Sequence, residues 1–86
     1  MELHFKKGFT KSYSKLSAQE QLKVDEALVD FQENVDQPHL RNHALKGKMK
    51  GQRAFSAGHD LRVIYREEGD HAIVYLLKTG THNQVY

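Results

Sequence analysis

The residues of this chain that could do acid–base chemistry are two histidines, an aspartate and a tyrosine set among many cations. Histidine has an unperturbed pKa of about 6.5, so it can take up or release a proton near neutral pH. His43 and Asp60 lie in a strongly basic stretch, and His82 and Tyr86 lie in the tail. This combination points to proton transfer at a phosphate group that the neighbouring cations would hold.

The basic stretch runs from His39 to Arg66 and contains a single acid, Asp60. The formal net charge of the whole chain is only +2, so the positive charge is concentrated in this stretch. Such a patch indicates a phosphate-bearing partner, and the alternative interpretation is a solvated surface without a ligand. The lysines and arginines of the stretch are Arg41, Lys46, Lys48, Lys50, Arg53, Arg62 and Arg66.

Composition predicts one small globular domain over residues 1–86, with room for one modest core. The chain has no cysteine, which excludes disulfides and thiolate metal sites. It has neither an apolar run of membrane-spanning length nor a signal-peptide segment, so we expect a soluble protein of the cytoplasm that does not bind membranes.

Hydrophobic periodicity predicts a strand over 2–6, a short helix over 9–16 and a long helix that ends near Asn34. The long helix should begin at the capping-box pattern Ser17-Ala-Gln-Glu20. Further strands are expected over 52–57, 60–67 and 71–79, followed by a tail that leaves the sheet. The predicted fold class is α+β, with a four-stranded sheet made of a three-strand antiparallel meander and the N-terminal strand at an edge.

Periodicity and alternation predict which residues are buried. In the long helix we expect a stripe of buried side chains: Val24, Leu28 and Phe31, helped by Leu22 and Ala27. In the sheet, the core side should carry Phe55, Leu61, Val63 and Tyr65, and Tyr75 is also predicted to be a core residue. Arg53 falls on the same side, where we expect an ion pair with a helix acid. His4, His39, His59 and His71 are predicted at the surface.

The other face of the sheet should be open and cationic. By alternation it would carry Ser56, Asp60, Arg62 and Arg66. The loop bearing His43 and the tail bearing His82 and Tyr86 would flank it. A cationic sheet face with two imidazoles is suited to RNA. No two of these candidates have the spacing of a helical metal site, so we expect neither a metal nor another cofactor.

Four motifs resemble those of the RelE/ParE toxin superfamily, and most of all those of its YafQ-like branch. They are His43-Ala-Leu-Lys-Gly47, Lys50-Gly-Gln-Arg53, Asp60-Leu-Arg-Val-Ile-Tyr65, and Thr79-Gly-Thr-His82 followed by a final aromatic residue. The resemblance implies a RelE-like toxin of a type II toxin–antitoxin pair, with a cognate antitoxin as partner. The YafQ and RelE branches are ribonucleases that cut mRNA in the ribosomal A site without a metal.

Carried over by position, the catalytic residues of the YafQ-like branch fall on His43, Asp60, His82 and Tyr86. The chain departs from the pattern at three other positions. A family histidine is replaced by Ser56, an aspartate by Ala54 and a tryptophan by Leu61.

For metal-free cleavage through the 2′-OH, we expect His82 to be the acid or base nearest the scissile phosphate, with His43 or Asp60 as its counterpart. Tyr86 would stack on a base or orient it. Positive charge at the phosphate would come from Arg62, with Arg66 or Lys50. The full expected RNA-binding set is Lys46, Lys48, Lys50, Ser56, Arg62 and Arg66.

Two other functions remain open from the sequence. One is a ParE-like toxin that poisons DNA gyrase by binding and performs no catalysis. The other is a family member that keeps the fold and antitoxin binding without cleavage, which the serine at position 56 favours. In all cases the antitoxin is expected to wrap the helices and cover the cationic face with an acidic or amphipathic segment.

Overall fold

A computed structural model describes residues 1–86. Five strands and three helices follow one another along the chain. They are β1 (Glu2–Phe5), α1 (Lys7–Ser14), α2 (Ala18–Glu33), β2 (His43–Ala44), β3 (Arg53–Ser56), β4 (Leu61–Glu68), β5 (Ile73–Thr81) and α3 (His82–Val85). Two short 3-10 turns, Pro38–Leu40 and Gly47–Met49, flank β2. The predicted α+β class is confirmed.

The sheet has the strand order β1-β5-β4-β3-β2. As predicted, β3, β4 and β5 form an antiparallel meander and β1 joins the edge, where it runs parallel to β5. The predicted count of four strands was wrong, because His43 and Ala44 form a fifth strand, β2, against β3. Two residues are too few to show an alternating pattern in the sequence.

Helix α2 begins with the predicted capping box. The Glu20 amide donates to the Ser17 hydroxyl at 3.2 Å, and the Ser17 amide donates to the Glu20 carboxylate at 2.9 Å. Val24, Ala27, Leu28 and Phe31 are buried as predicted, but Leu22 is 57% exposed, because it lies on the opposite side of the helix. None of the helices has the length and apolar character required to cross a membrane.

The main core lies between the helices and one face of the sheet. As the alternation predicts, the sheet contributes Phe55, Leu61, Val63 and Tyr65 to it. The ring of Phe31 stacks on that of Phe55, with centroids 4.4 Å apart. Tyr75 was predicted here as well, but it lies half-buried on the other face, where the Arg66 guanidinium is 4.1 Å from its ring centroid.

A polar network lies at the edge of this core, around the Tyr65 hydroxyl. That hydroxyl donates to the Asn42 side-chain oxygen at 2.6 Å and accepts from Arg53 Nε at 3.1 Å. Arg53 also donates to Asn42, so the predicted ion pair with a helix acid was wrong. His71 was predicted at the surface, but its ring is 14% exposed and lies 2.8 Å from the same hydroxyl.

A second, smaller cluster lies on the other face of the sheet. Ala54, Ile64 and Val85 are buried there, with Leu45, Met49 and Leu77 packed around them. Val85 belongs to α3, so the tail leaves the sheet as predicted and then packs back against it. This cluster fixes the positions of the β2 loop and of α3, the two segments that carry His43 and His82.

We predict that Tyr65→Phe lowers the free energy of unfolding by about 1–3 kcal/mol, because Asn42, Arg53 and His71 each lose a buried partner. Urea denaturation followed by circular dichroism measures this change. Burial raises the pKa of Tyr65 above 10.0. The stability that comes from this raised pKa is present below pH 10 and is lost as the pH rises through the pKa of the folded state. The difference in free energy of unfolding between the wild type and Tyr65→Phe should therefore become smaller at alkaline pH.

The matched control is Tyr75→Phe, which removes the same hydroxyl from a half-exposed ring whose only hydrogen bond is a 3.4 Å contact with Glu68. Its stability should stay close to that of the wild type. Equal losses in the two variants would contradict a stabilising role for the Tyr65 network.

Candidate active site

The floor of the site is formed by three neighbouring strands. Ser56 of β3 is paired with Arg62 of β4, and Arg62 is paired with Gly80 of β5. Directly opposite residues on adjacent strands have Cβ atoms about 5 Å apart, so the serine and the guanidinium stem are immediate neighbours. His43 of β2 is paired with Ala54, two residues from Ser56 on the same face. The site therefore lies at one end of the open face.

A cavity of about 440 Å³ opens above this floor. Segments on both sides of β3 and β4 contribute to its walls: β2 and its flanking residues on one side, and α3 with the residue after it on the other. The lining residues are Arg41, His43, Leu45, Ser56, Arg62, His82 and Tyr86. Five of these were predicted as site residues from the sequence.

The His43 ring has a defined tautomer in its neutral form. Its Nδ1 lies 2.7 Å from the Arg41 carbonyl oxygen. A carbonyl can only accept, so Nδ1 carries the hydrogen and donates it. Nε2 then has a free lone pair, which is what a general base requires.

The tail positions His82 and Tyr86 through a tight turn into α3. The Thr81 amide donates to the Gln84 side-chain oxygen at 2.8 Å as half of a capping box. Glycine suits the position before this turn, because residues with a side chain rarely adopt its φ of 157° and a Cβ there would lie 3.2 Å from the Gln84 Cβ. The rings of His82 and Tyr86 pack edge to face with centroids 4.6 Å apart.

The cavity is cationic, and no carboxylate side chain lines it. Arg62 donates to the Leu61 carbonyl at 3.0 Å and has no acidic partner. Burial raises the pKa of Tyr86 above 10.0, while the charge of Arg62 partly opposes this shift. Tyr86 is therefore a neutral hydrogen-bond donor at physiological pH. No group of three or more histidine or carboxylate side chains is arranged to hold a metal ion.

The other predicted site residues lie outside this cavity. Asp60 is exposed at the end of the bend that precedes β4. The lysines of the glycine-spaced loop are exposed between β2 and β3: Lys46, Lys48 and Lys50. Arg66 is on the predicted face, but it lies four residues along β4 from Arg62, roughly 13 Å at 3.3 Å per residue.

Arg41 and Leu45 line the cavity but were not singled out from the sequence. Arg41 lies two residues before His43, and that spacing was a signal that both side chains could reach the same region. Its left-handed backbone, with φ of 50°, was not visible in the sequence. Leu45 belongs to the motif His43-Ala-Leu-Lys-Gly47, but as an apolar residue it was not predicted to be a site residue.

Comparison with known proteins adds evidence on ancestry. Residues 1–86 match the family model described as "Bacterial toxin of type II toxin-antitoxin system, YafQ". The chain belongs to the YafQ family. The YafQ family consists of bacterial toxins of type II toxin–antitoxin systems. A search of curated proteins found no match.

Solved structures share the fold. YafQ from E. coli strain BL21(DE3) is 21% identical with a TM-score of 0.76, and the match covers 99% of this chain and 97% of that one. A YoeB/ParE toxin from Agrobacterium tumefaciens is 18% identical with a TM-score of 0.75, covering 95% and 99%. The toxin–antitoxin complex RelBE2 from Mycobacterium tuberculosis is 18% identical with a TM-score of 0.66. That match covers 94% of this chain and 96% of the other. At these identities the likeness concerns the fold.

We predict that Arg62→Ala raises the pKa of Tyr86 further, because the cation that stabilises the phenolate is removed. NMR titration of the tyrosine ring carbons between pH 8 and 12 measures this shift, with Tyr86→Phe identifying the signal. Lys11→Ala is the matched control, since Lys11 lies in α1, outside the cavity. An unchanged Tyr86 pKa in Arg62→Ala would show that the guanidinium does not act on the phenol.

Proposed function

We propose that this toxin is a metal-free, ribosome-dependent mRNA endoribonuclease that inhibits translation. One observation carries the proposal: two imidazoles, His43 and His82, come from segments on either side of a cationic floor in a cavity without carboxylates. Cleavage through the 2′-OH needs a base for one proton, an acid for another and cations for the phosphate. This cavity holds all three.

In the proposed reaction, Nε2 of His43 removes the 2′-OH proton. The 2′ oxygen attacks phosphorus, and the bond from phosphorus to the 5′ oxygen breaks. His82 in its protonated form supplies the proton that this oxygen takes up. The products carry a 2′,3′-cyclic phosphate and a 5′-hydroxyl. His43, now protonated, then releases its proton to solvent, and His82, now neutral, takes one up. Hydrolysis of the cyclic phosphate with the two roles reversed restores the same protonation states.

The other cavity residues would bind and orient the RNA. Arg62 would hold the non-bridging phosphate oxygens, where negative charge accumulates in the transition state. The Ser56 hydroxyl, which has no hydrogen-bond partner within the protein, would donate to the same group. Tyr86 is 44% exposed and would stack on a base or donate its hydroxyl proton. With Asp60 outside the cavity, His43 is the preferred counterpart of His82.

The exposed cations outside the cavity would serve the larger complex in the cytoplasm. Lys46, Lys48, Lys50 and Arg66 are proposed to contact the RNA backbone on the ribosome, where binding would weaken with salt. A cognate antitoxin is proposed as the second partner. An acidic or amphipathic segment of it would neutralise the toxin by covering the face around Arg62 and His82.

A second candidate is a YafQ-family member that binds its antitoxin but does not cleave RNA. The observation that favours it is Ser56, a hydroxyl that cannot transfer protons near neutral pH as a histidine can. Under this candidate the cavity would still bind RNA, but programmed ribosomes would release intact mRNA.

We predict that His82→Ala lowers the rate of mRNA cleavage about 10²–10⁴-fold, since a general acid or base is removed. Purified protein is incubated with ribosomes carrying a defined mRNA, and new 5′ ends are mapped by primer extension. The control His4→Ala removes an exposed imidazole that stacks on Tyr75, outside the cavity, and should cleave like the wild type.

Three results would contradict the proposal. Cleavage that survives in His82→Ala would exclude the assigned role of His82. Intact mRNA with folded wild-type protein would favour the binding-only candidate. Growth arrest with intact mRNA and inhibited gyrase would identify a ParE-like toxin.

A further inference from the structure

A second cavity, of about 450 Å³, adjoins the first at the end of β3 and the bend before β4. The two cavities share three residues, Arg41, Ser56 and Arg62, so they form one continuous groove. The second cavity is also without carboxylates in its lining. Its residues are His39, Arg41, Ser56, Gly58, His59 and Arg62.

The two arginines of this groove have no acidic partner. The ion pairs of the chain join His4 to Glu2, His39 to Asp30, Arg66 to Glu68, and His71 to Asp70. Neither Arg41 nor Arg62 is in any of them. Guanidinium groups recognise phosphate through paired N–H donors. Two arginines that line adjoining cavities and have no acidic partner therefore favour the binding of two anionic groups.

The backbone holds Arg41 in an uncommon conformation, with φ of 50°. Such a conformation persists in a non-glycine residue when its surroundings fix it. Here the Arg41 amide donates to the Pro38 carbonyl at 3.2 Å, and the next residue, Asn42, is tied to Tyr65 in the core. The chain therefore presents this cation to both cavities from a rigid segment.

We propose that the second cavity binds the RNA phosphate adjacent to the scissile one, with Arg41 contacting it and His59 lying alongside. This proposal rests on the proposed function, because it identifies the scissile phosphate with the first cavity. The positive charge of the groove is offset at His39, because its ring lies 2.9 Å from the Asp30 carboxylate. Glu26 and Asp30 line the hollow beyond it, together with Lys23. The two carboxylates outnumber the one lysine, so this hollow disfavours a further phosphate and the subsite takes one.

The test compares two RNA probes that carry a 2′-deoxy sugar at the cleavage position. The first is a dinucleotide with one phosphate, and the second is a trinucleotide with an additional phosphate. NMR titration over a range of salt concentrations gives the dissociation constants. For wild-type protein we expect the trinucleotide to bind about tenfold more tightly than the dinucleotide, as one charge-assisted phosphate contact allows.

In Arg41→Gln this advantage should disappear, and the slope of log K against log salt for the trinucleotide should become shallower by about 0.7. His59→Ala is a second variant in an exposed bend and should lose part of the advantage. Lys11→Ala removes one positive charge from α1, outside both cavities, and should keep both the advantage and the slope.

The subsite is overturned if Arg41→Gln weakens both probes equally, if it weakens neither, or if wild-type protein binds the two probes with equal affinity. Wild-type protein that shows the length dependence but leaves mRNA on ribosomes intact would keep the subsite and remove the proposed cleavage. Wild-type protein that cleaves mRNA but binds the two probes equally would keep the proposed cleavage and remove the subsite.

Discussion

The arrangement of the site depends on one partly buried hydrogen bond, from the Tyr65 hydroxyl to the Asn42 side chain at 2.6 Å. Tyr65 is fully buried in the main core, so the bond joins the core to a loop residue that lies between Arg41 and His43. Arg53 strengthens this link, because its Nε donates to both the Asn42 side chain and the Tyr65 hydroxyl. The Arg41 carbonyl oxygen in turn accepts a hydrogen bond from the His43 ring. The packing of the core therefore helps to position the proposed catalytic base.

The opposite wall of the site is held by a different force. Val85 packs with Ala54 and Ile64 on the face that would otherwise be open, and this small apolar cluster anchors α3. His82 and Tyr86 project from the ends of that segment toward Arg62. A polar network therefore positions one wall and hydrophobic packing positions the other, while the β3–β4 pairing sets the distance between them. With the two walls held in these two ways, the cavity is polar and yet no buried side-chain nitrogen or oxygen atom lacks a hydrogen-bond partner.

Much of the fold could be predicted, and so could five of the seven residues that line the cavity, because they depend on local patterns. The capping box at Ser17 and the strand alternation are readable from neighbouring residues, and alternation correctly grouped Ser56 and Arg62 on one face. Alternation failed at Asp60, because this residue lies in a bend where the period of two does not apply. It gave Arg66 the right face, but it could not show that the cavity lies at the Arg62 end of β4 and excludes Arg66.

What could not be predicted depends on contacts distant in sequence. The Asn42–Tyr65 pairing spans 23 residues, and nothing near Arg53 distinguishes its hydrogen bonds from the expected ion pair. Strand β2 is stabilised by its partner β3 and has no pattern of its own. The resemblance in the motifs was confirmed by the family match, which no local pattern could establish.

The central claim is that protein side chains alone activate the 2′-OH for attack on the phosphate. The chemistry of the new RNA ends tests it most directly. Products from programmed ribosomes should carry a 2′,3′-cyclic phosphate or its 3′-phosphate hydrolysis product on one fragment and a 5′-hydroxyl on the other. A 3′-hydroxyl with a 5′-phosphate would mean that water attacked instead, and the account of His43 and His82 would be wrong.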